Sequence, residues 1–416
     1  MLNGLWLAFF VIASVSAMYQ WLVLNNTEIF ANMVGSLFEM AELSVSIMIL
    51  LFGTLTLWLG FLKIAESAGL IEKLGALISP LLRRLMPEIP KDHPALGLIT
   101  LNFAANGLGL DNAATPIGLK AMHSLQSLNP NPKSASNAQI LFLVLNSSSL
   151  TLLPVTIFMY RAQQGAPDPT LVFLPILIAT TASSLVGLMT VAIVQRIKIY
   201  DPVILMWLGS IVTGLALFMA TLASISAAAL ATLSSLLGNL SLLAIILFFL
   251  VAGAIKKVPV YESFVDGAKE GFKVAKDLLP YLVAMLCAIG VLRSSGALEI
   301  ILNGIRWVAI HAGVDTRFVD ALPTALAKPF SGSAARALMI ETMQHYGVDS
   351  FPALIAATVQ GSTETTFYVL AVYFGAVGIQ RARHAVACAL SADIAGVITA
   401  ILVCYWFFGE SYYLNL

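Results

Sequence analysis

Residues 357–372 form the most polar interruption of an otherwise apolar region and read Ala-Thr-Val-Gln-Gly-Ser-Thr-Glu-Thr-Thr-Phe-Tyr-Val-Leu-Ala-Val. Apolar residues flank it on both sides, yet its middle is strongly polar from Gln360 to Thr366. A carboxylate near the middle of a bilayer costs at least ~2.5 kcal/mol, so Glu364 is expected to face protein or a water-filled cavity. The stretch therefore predicts a membrane span with a functional, polar middle.

A second polar stretch interrupts the apolar sequence in the first half of the chain. Residues 146–154 read Asn-Ser-Ser-Ser-Leu-Thr-Leu-Leu-Pro. When the two stretches are laid over each other, four polar positions coincide: Asn146 with Gln360, Ser148 with Ser362, Ser149 with Thr363 and Thr151 with Thr365. Leu150 falls opposite Glu364, so the carboxylate belongs to the second stretch alone.

The composition assigns the protein class. Of the 416 residues, 59% are hydrophobic and only 11% are charged, whereas soluble domains carry roughly 25% charged residues. The net charge is zero and no basic run occurs, so nucleic acid is not an expected partner. The three cysteines lie in apolar segments without His or Cys at ligand spacing, which argues against a disulfide framework or a metal site.

Nine segments have the roughly 20 mainly apolar residues that a membrane span needs. The sequence therefore predicts an all-α polytopic membrane protein with about nine transmembrane helices. The first lacks the basic start of a cleaved signal peptide, so we expect it to be retained. The predicted spans lie near residues 5–24, 42–63, 137–160, 170–195, 202–223, 229–254, 278–293, 351–375 and 384–408.

Shorter apolar segments lie between these spans. Residues 64–86, 258–276 and 296–310 alternate apolar and charged positions, which is typical of amphipathic helices at the membrane interface. Residues 94–127 and 321–345 are apolar but broken by Gly, Pro, Asn or Ser, and predict two re-entrant hairpins. The alternative is a pair of surface loops, which the apolar flanks disfavour.

The basic residues give an orientation. If both hairpins return to the side from which they start, fifteen Lys and Arg residues lie on one face and four on the other. Cytoplasmic loops carry an excess of Lys and Arg. We therefore expect the N-terminus in the cytoplasm and the C-terminus outside.

Similarity within the chain indicates a duplication. Residues 66–70 pair with residues 293–297, and Gly187 pairs with Gly396. Between these paired positions, both halves carry an amphipathic helix, a broken hairpin and a span with a polar middle, in the same order. The first spans of the two copies are an odd number of crossings apart, so the copies are predicted to run in opposite directions. Chance similarity of two Ser/Thr-rich helices is the alternative, and the shared order weighs against it.

Two sets of motifs resemble known families. Residues 64–70 (Ile-Ala-Glu-Ser-Ala-Gly-Leu), 92–94 (Asp-His-Pro) and 109–118 (Gly-Leu-Asp-Asn-Ala-Ala-Thr-Pro-Ile-Gly) resemble spore maturation protein A. Spore maturation protein B is resembled by residues 261–264 (Tyr-Glu-Ser-Phe), 267–272 (Gly-Ala-Lys-Glu-Gly-Phe), 329–335 (Pro-Phe-Ser-Gly-Ser-Ala-Ala) and 360–368 (Gln-Gly-Ser-Thr-Glu-Thr-Thr-Phe-Tyr). From about residue 40 onwards, the chain resembles a fusion of both.

The resemblance implies membership of the Gate, or nucleoside-recognition, group, which includes concentrative nucleoside transporters and the membrane domain of the ferrous-iron permease. It implies an inverted pair of Gate domains and carries no settled substrate. The predicted organisation is an N-terminal helix with an interfacial segment, a first Gate repeat, connecting transmembrane helices and a second Gate repeat. These occupy residues 1–40, 41–200, 201–257 and 258–416.

Polar residues of the two stretches and the two hairpin tips form the predicted site for a solute or ion. A buried Ser or Thr is often bonded back to its own helix, which is the alternative for each hydroxyl. Asp393 is an open case between a site residue and a structural one, and Lys328 or Arg336 could pair with Glu364 or Asp111. The predicted site residues are Asn106, Asp111, Asn112, Thr115, Asn146, Ser147, Ser148, Ser149, Thr151, Ser331, Ser333, Gln360, Ser362, Thr363, Glu364, Thr365 and Thr366.

The predicted function is ion-coupled secondary transport of a small polar solute across a bacterial inner membrane, with a nucleoside-like compound as one candidate. A non-transporting envelope scaffold or permeability regulator is the alternative. No hydrolase, metalloprotease or nucleotide-loop motif occurs, so we expect no enzyme activity. We expect no cofactor and no bound metal beyond Na⁺ or H⁺ as the coupling ion. The expected partners are the lipid bilayer, the solute and, as an open possibility, further copies of the chain.

Overall fold

The computed structural model describes residues 2–90, 92–107, 111–148 and 150–409, and side chains for all of these except residues 2, 3, 5, 50, 111–113, 275, 277 and 278. Helices account for the regular structure of this part of the chain. In chain order they are α1 Leu2–Leu24, α2 Ile29–Ser67, α3 Leu70–Leu85, α4 Pro94–Gly107, α5 Asp111–Gln126, α6 Asn137–Ser148, α7 Val155–Gln163, α8 Phe173–Gln195, α9 Pro202–Leu222, α10 Ala227–Ile255, α11 Val260–Ser294, α12 Ala297–His311, α13 Leu322–Ala327, α14 Gly332–Tyr346, α15 Phe351–Ser362, α16 Thr366–Ala376 and α17 Ala385–Phe408.

The helices follow the same order twice. A long helix, an amphipathic helix, a pair of helices, a broken helix and a final long helix occur as α2 to α8 and again as α11 to α17. The helices α9 and α10 lie between the two series, and α1 precedes the first. This repeated order supports the predicted duplication.

A glycine turns the chain at the same point of each series. Gly69 precedes α3 with φ +71°, and Gly296 precedes α12 with φ +70°. Only glycine enters this left-handed region without a steric penalty. A sharp turn therefore joins each long helix to its amphipathic helix, and α3 then buries Leu70, Ile71 and Leu82 against the core.

The two polar stretches break their helices. The helices α6 and α15 are each 12 residues long and end at Ser148 and Ser362, the pair that the sequence comparison aligns. Hydroxyl side chains offer the backbone other hydrogen bonds than those of a helix, and Pro154 lacks the N–H that a continuing helix requires. The predicted spans 137–160 and 351–375 are therefore each two shorter helices.

Seven helices in the described residues are long and apolar enough to cross a membrane: Trp6–Leu24, Ile29–Ser67, Pro169–Gln195, Pro202–Leu222, Ala227–Ile255, Val260–Ser294 and Ala385–Phe408. The chain is thus a multi-pass membrane protein in contact with the bilayer. The predicted total of nine crossings stays a prediction, since it depends on the two broken helices also crossing.

One predicted element is wrong. Residues 258–276 do not form a separate interfacial helix, because α11 continues without interruption from Val260 to Ser294. Its N-terminal part instead packs against α2, where Leu59 and Gly60 lie next to Gly267. Lysines on one side and apolar residues on the other are expected of an interfacial helix. The same pattern is expected where the start of a longer helix packs against a neighbour, as α11 does against α2.

The predicted hairpins are pairs of packed helices. Asn102 Nδ2 on α4 donates to the carbonyl of Ala114 on α5 over 2.7 Å. In the second pair, Ser331 caps α14, where its Oγ accepts from the backbone N–H of Ala334 over 3.1 Å. Residues 108–110 at the first tip lie outside the described residues. How deeply either hairpin enters a membrane stays a prediction.

The last helices of the two series cross by a reciprocal contact. A methyl group added at Gly187 of α8 would lie 3.1 Å from Ala392 Cβ on α17, and one added at Gly396 of α17 would lie 3.3 Å from Ser183 Cβ on α8. Gly187 and Gly396 are 209 residues apart, as are Ser183 and Ala392. Each helix therefore presents the same position to the other, as two related repeats would.

Candidate functional site

The two helix breaks touch each other. The backbone N–H of Glu364, in the second break, donates to the carbonyl of Ser147, at the end of α6, over 2.8 Å. The Ser147 hydroxyl also contacts the hydroxyl of Thr366, the first residue of α16. The last carbonyls of a helix lack partners within it, and here the opposite break supplies one.

The first helix pair reaches its break through two amides. Asn106, near the end of α4, donates from Nδ2 to Asn146 Oδ1 over 2.9 Å. Asn146 then donates to the carbonyl of Phe142 within α6 over 2.9 Å. Both predicted residues therefore lie together, with Asn146 oriented by its own helix.

The second helix pair reaches the second break more closely. The backbone N–H of Phe367 donates to the carbonyl of Pro329 over 2.9 Å. A methyl group added at Gly332 would lie 2.7 Å from Thr365 Oγ1, so only glycine fits there without displacing its neighbour. Ser331 and Ser333 bond to each other over 3.1 Å beside this contact. Both hairpin ends thus meet the breaks that the sequence pairs with them.

The hydroxyls of two predicted residues donate back to their own helices. Ser148 donates to the carbonyl of Leu145 over 3.3 Å, and Ser362 donates to that of Val359 over 2.8 Å. Each is the back-bonded arrangement that the sequence left open.

Other predicted residues lie at the edge of the cluster or outside the described part. The backbone N–H of Thr151 donates to Thr180 Oγ1 over 3.3 Å, and Thr115 is half-buried on α5. The side chains of Asp111 and Asn112, and the whole of Ser149, lie outside the described residues.

Lys328 and Asp393 belong to the cluster, although the sequence did not place them in the site. Lys328 is 3% exposed and donates from Nζ to the carbonyl of Gln360, near the end of α15, over 2.8 Å. Asp393 of α17 is also 3% exposed, and Gly396, three residues further along α17, packs against Thr363 and Ser362 of the second break. The apolar sequence around Lys328 and Asp393 indicated that both are buried. Their position beside the helix breaks becomes visible only in the structure, where α17 crosses behind the breaks.

Several buried acceptors of the cluster lack a partner. Within the described residues, Gln360 Oε1, Thr363 Oγ1 and both carboxylate oxygens of Asp393 accept no hydrogen bond at ordinary distance. A buried polar atom without a partner costs roughly 1–3 kcal/mol. The cluster can therefore gain free energy by binding a donor, such as a hydroxylated solute, a proton or a cation.

Across the described part of the chain, no three His, Cys, Asp or Glu side chains come together as a group that could hold a metal ion. The chemistry available at the breaks is hydrogen bonding and charge compensation by one ammonium and two carboxylates.

The profile of the Gate family, described as nucleoside recognition, matches residues 48–163 and, separately, residues 275–380. The chain belongs to the Gate family. The two Gate matches begin within α2 and α11 and reach the ends of the broken helices, so each contains one hairpin and one helix break. Asp393 lies beyond the second match.

Two curated relatives confirm the resemblance seen in the sequence. The chain is 46% identical to spore maturation protein B of Bacillus subtilis (strain 168) over 167 residues, which are 40% of this chain and 92% of that protein. It is 37% identical to spore maturation protein A of the same strain over 185 residues, which are 44% of this chain and 91% of that protein. No solved structure matches the chain.

Proposed function

We propose that this Gate protein is a secondary transporter that carries a small polar solute, coupled to H⁺ or Na⁺, and binds the solute where the two helix breaks meet. The observation that carries the proposal is the contact between the breaks, Glu364 N–H to Ser147 carbonyl, surrounded by buried acceptors without partners. Discontinuous helices at the interface of inverted repeats are typical of secondary transporters.

The charges beside the breaks favour coupling to an ion. Glu364 and Asp393 can each hold a proton or contribute to a cation site, while Lys328 supplies one fixed positive charge at the end of α15. One ammonium against two carboxylates leaves room for one further positive charge in a balanced cluster. Burying charged side chains costs free energy unless opposite charges compensate them.

The solute class follows from the polar groups. Amides, hydroxyls and carboxylates without partners recognise hydroxyl and ring-nitrogen donors, which a nucleoside provides. The family description, nucleoside recognition, suggests the same class. We therefore place nucleosides first in a panel of small polar metabolites.

A non-transporting role is the second candidate. The relatives are named for spore maturation, and the breaks are closed directly onto each other by Ser147, Glu364 and Thr366. Such a closed polar core would also suit a scaffold or a permeability regulator of the envelope. Neither candidate is an enzyme.

The two candidates differ in whether the purified protein exchanges solute. Proteoliposomes loaded with each member of the metabolite panel are mixed with the same labelled compound outside, and counterflow is measured with and without a pH or Na⁺ gradient. A carrier accumulates label transiently for at least one compound. Folded protein that exchanges none of them under any gradient would favour the scaffold.

Glu364→Gln tests whether the ion dependence of transport can be removed without abolishing solute exchange. The amide keeps the shape and hydrogen-bonding capacity of the side chain and removes its charge. We expect solute exchange to persist while its dependence on pH or Na⁺ disappears. Glu262→Gln, an exposed carboxylate on the first turn of α11, is the matched control and should leave that dependence intact.

A further inference from the structure

A large cavity lies away from the helix breaks, where four elements meet. It has a volume of about 1120 Å³ and lies between the C-terminal part of α3 with the loop after it, the start of α6, the end of α8 and the start of α9. Four basic side chains line it: Arg83, Arg84, Arg196 and Lys198. Ligand cavities typically measure roughly 300–1,000 Å³, so this space suits more than a single small ion.

The acidic groups of the cavity are already engaged. Glu88 accepts from Asn137 Nδ2 over 3.1 Å. Asp201 caps α9, where it accepts from the N–H of Val203 over 2.9 Å, and also pairs with Arg84 over 3.4 Å. Within the described part of the chain, Arg83, Arg196 and Lys198 have no carboxylate within 4.0 Å.

The neighbouring histidine adds no compensating or further charge. His384 contacts Gln195, a residue of the cavity wall, over 3.0 Å. Burial and the nearby charge of Arg383 lower the pKa of His384 below its ordinary value, which favours the neutral ring. The net positive charge of the cavity therefore comes from its Arg and Lys side chains.

The backbone fixes the basic residues at the end of α8. Arg196 has φ +54°, a left-handed conformation that is uncommon for a residue with a side chain. The N–H of Ile197 bonds back to the carbonyl of Ala192 over 2.9 Å, which closes the helix end. A cation near a helix C-terminus interacts favourably with the helix dipole, and this effect weakens beyond the last turn, where Lys198 lies.

Lipid-facing side chains border the cavity. Ile193 and Val194 directly precede its wall on α8 and are 67% and 53% exposed. Leu205 and Met206 directly follow it on α9 and are 52% and 63% exposed. Both helices are among the seven long enough to cross a membrane. The cavity therefore lies beside the end of α8 and the start of α9, two helices long and apolar enough to cross a membrane.

We propose that this cavity binds the phosphate headgroup of an anionic phospholipid, whose acyl chains lie along the exposed apolar surfaces of α8 and α9. Arginine donates to phosphate oxygens through two parallel N–H groups, and three basic side chains here have no competing carboxylate. A free phosphate ion would compensate the basic side chains but would leave the adjoining apolar surface uncovered. The lipid satisfies both features.

Native mass spectrometry and thermal unfolding test the site in the intact protein. The protein is released from mixed micelles of phosphatidylglycerol and phosphatidylcholine, and retained lipid is identified by mass. We expect one phosphatidylglycerol molecule per chain to be retained and the midpoint of unfolding to rise with phosphatidylglycerol but not with phosphatidylcholine. The variant Arg83→Gln/Arg196→Asn/Lys198→Gln should bind phosphatidylglycerol about 100-fold more weakly, from roughly a factor of five per basic residue.

A matched variant separates a site from general charge attraction. Lys256→Gln/Lys273→Gln/Lys276→Gln removes the same charge from exposed positions that do not line the cavity and should retain the lipid. Equal loss in both variants would overturn the proposal, as would stabilisation by inorganic phosphate equal to that by phosphatidylglycerol. If the first variant does not fold, the single changes Arg83→Gln and Lys198→Gln decide, because each should weaken retention and unchanged retention in both overturns the site.

Discussion

Gly396→Ala measures how tightly the second helix break packs against α17. The added methyl carbon would lie 2.8 Å from Thr363 Cγ2, 3.3 Å from Ser183 Cβ and 3.3 Å from Ser362 Oγ. Carbon atoms in good contact are roughly 3.5–4.0 Å apart, so three neighbours must move. Overpacking of this kind costs about 1–3 kcal/mol, while replacing a helical glycine by alanine returns about 1 kcal/mol. We expect a net loss of up to about 2 kcal/mol.

Two other glycines calibrate the measurement. An alanine at Gly187 meets its nearest neighbours at 3.1 and 3.2 Å and should have a smaller effect. An alanine at Gly214 of α9 meets nothing within 4 Å and should be neutral or stabilising. Thermal unfolding of the purified variants in one detergent should rank them Gly396→Ala lowest, Gly187→Ala next and Gly214→Ala highest. A Gly396→Ala midpoint at or above that of Gly214→Ala would refute the close packing of α17 on the break.

Two further predictions concern orientation and stability. With the N-terminus in the cytoplasm, an impermeant thiol reagent added outside should label a cysteine placed at Pro167 or Val314 and spare one at Asp201 or Gln380; labelling of all four from one side would exclude the topology. Asp349→Ala should lower the free energy of unfolding by about 1–3 kcal/mol, because it leaves the fully buried guanidinium of Arg161 without the carboxylate 2.7 Å away. Asp266→Ala, which removes the exposed partner of Lys269, should cost under about 1 kcal/mol, and equal effects in a denaturant titration would contradict the difference in burial.

The features predicted well are those that the local sequence determines. Runs of apolar residues gave the long helices, and the two Ser/Thr-rich stretches gave the positions where α6 and α15 end. Gly69 and Gly296 marked the turns before the amphipathic helices because a left-handed backbone favours glycine. In each case the signal lies within a few residues of the feature.

The features missed depend on contacts between distant segments. The lysine-rich start of α11 has the periodicity of an interfacial helix, and only its packing against α2 shows that it continues into the next span. Lys328 and Asp393 are single charges in apolar surroundings, and their placement beside the second break depends on contacts with Gln360 and on the crossing of α17. The contact between Ser147 and Glu364 likewise joins residues 217 positions apart, and a local pattern gives no distance between them.

Counterflow in proteoliposomes measures whether the protein moves a solute through the point where its two helix breaks meet. The measurement compares the unmodified chain with the double variant Ser147→Ala/Thr366→Val, which removes the hydroxyl contact between the breaks and keeps similar side-chain volumes. Transport through the breaks predicts transient accumulation of at least one labelled polar solute by the unmodified protein and altered exchange of that solute by the variant. A folded, correctly inserted protein that exchanges no solute, or a variant whose exchange matches the unmodified chain in rate and affinity, would contradict it.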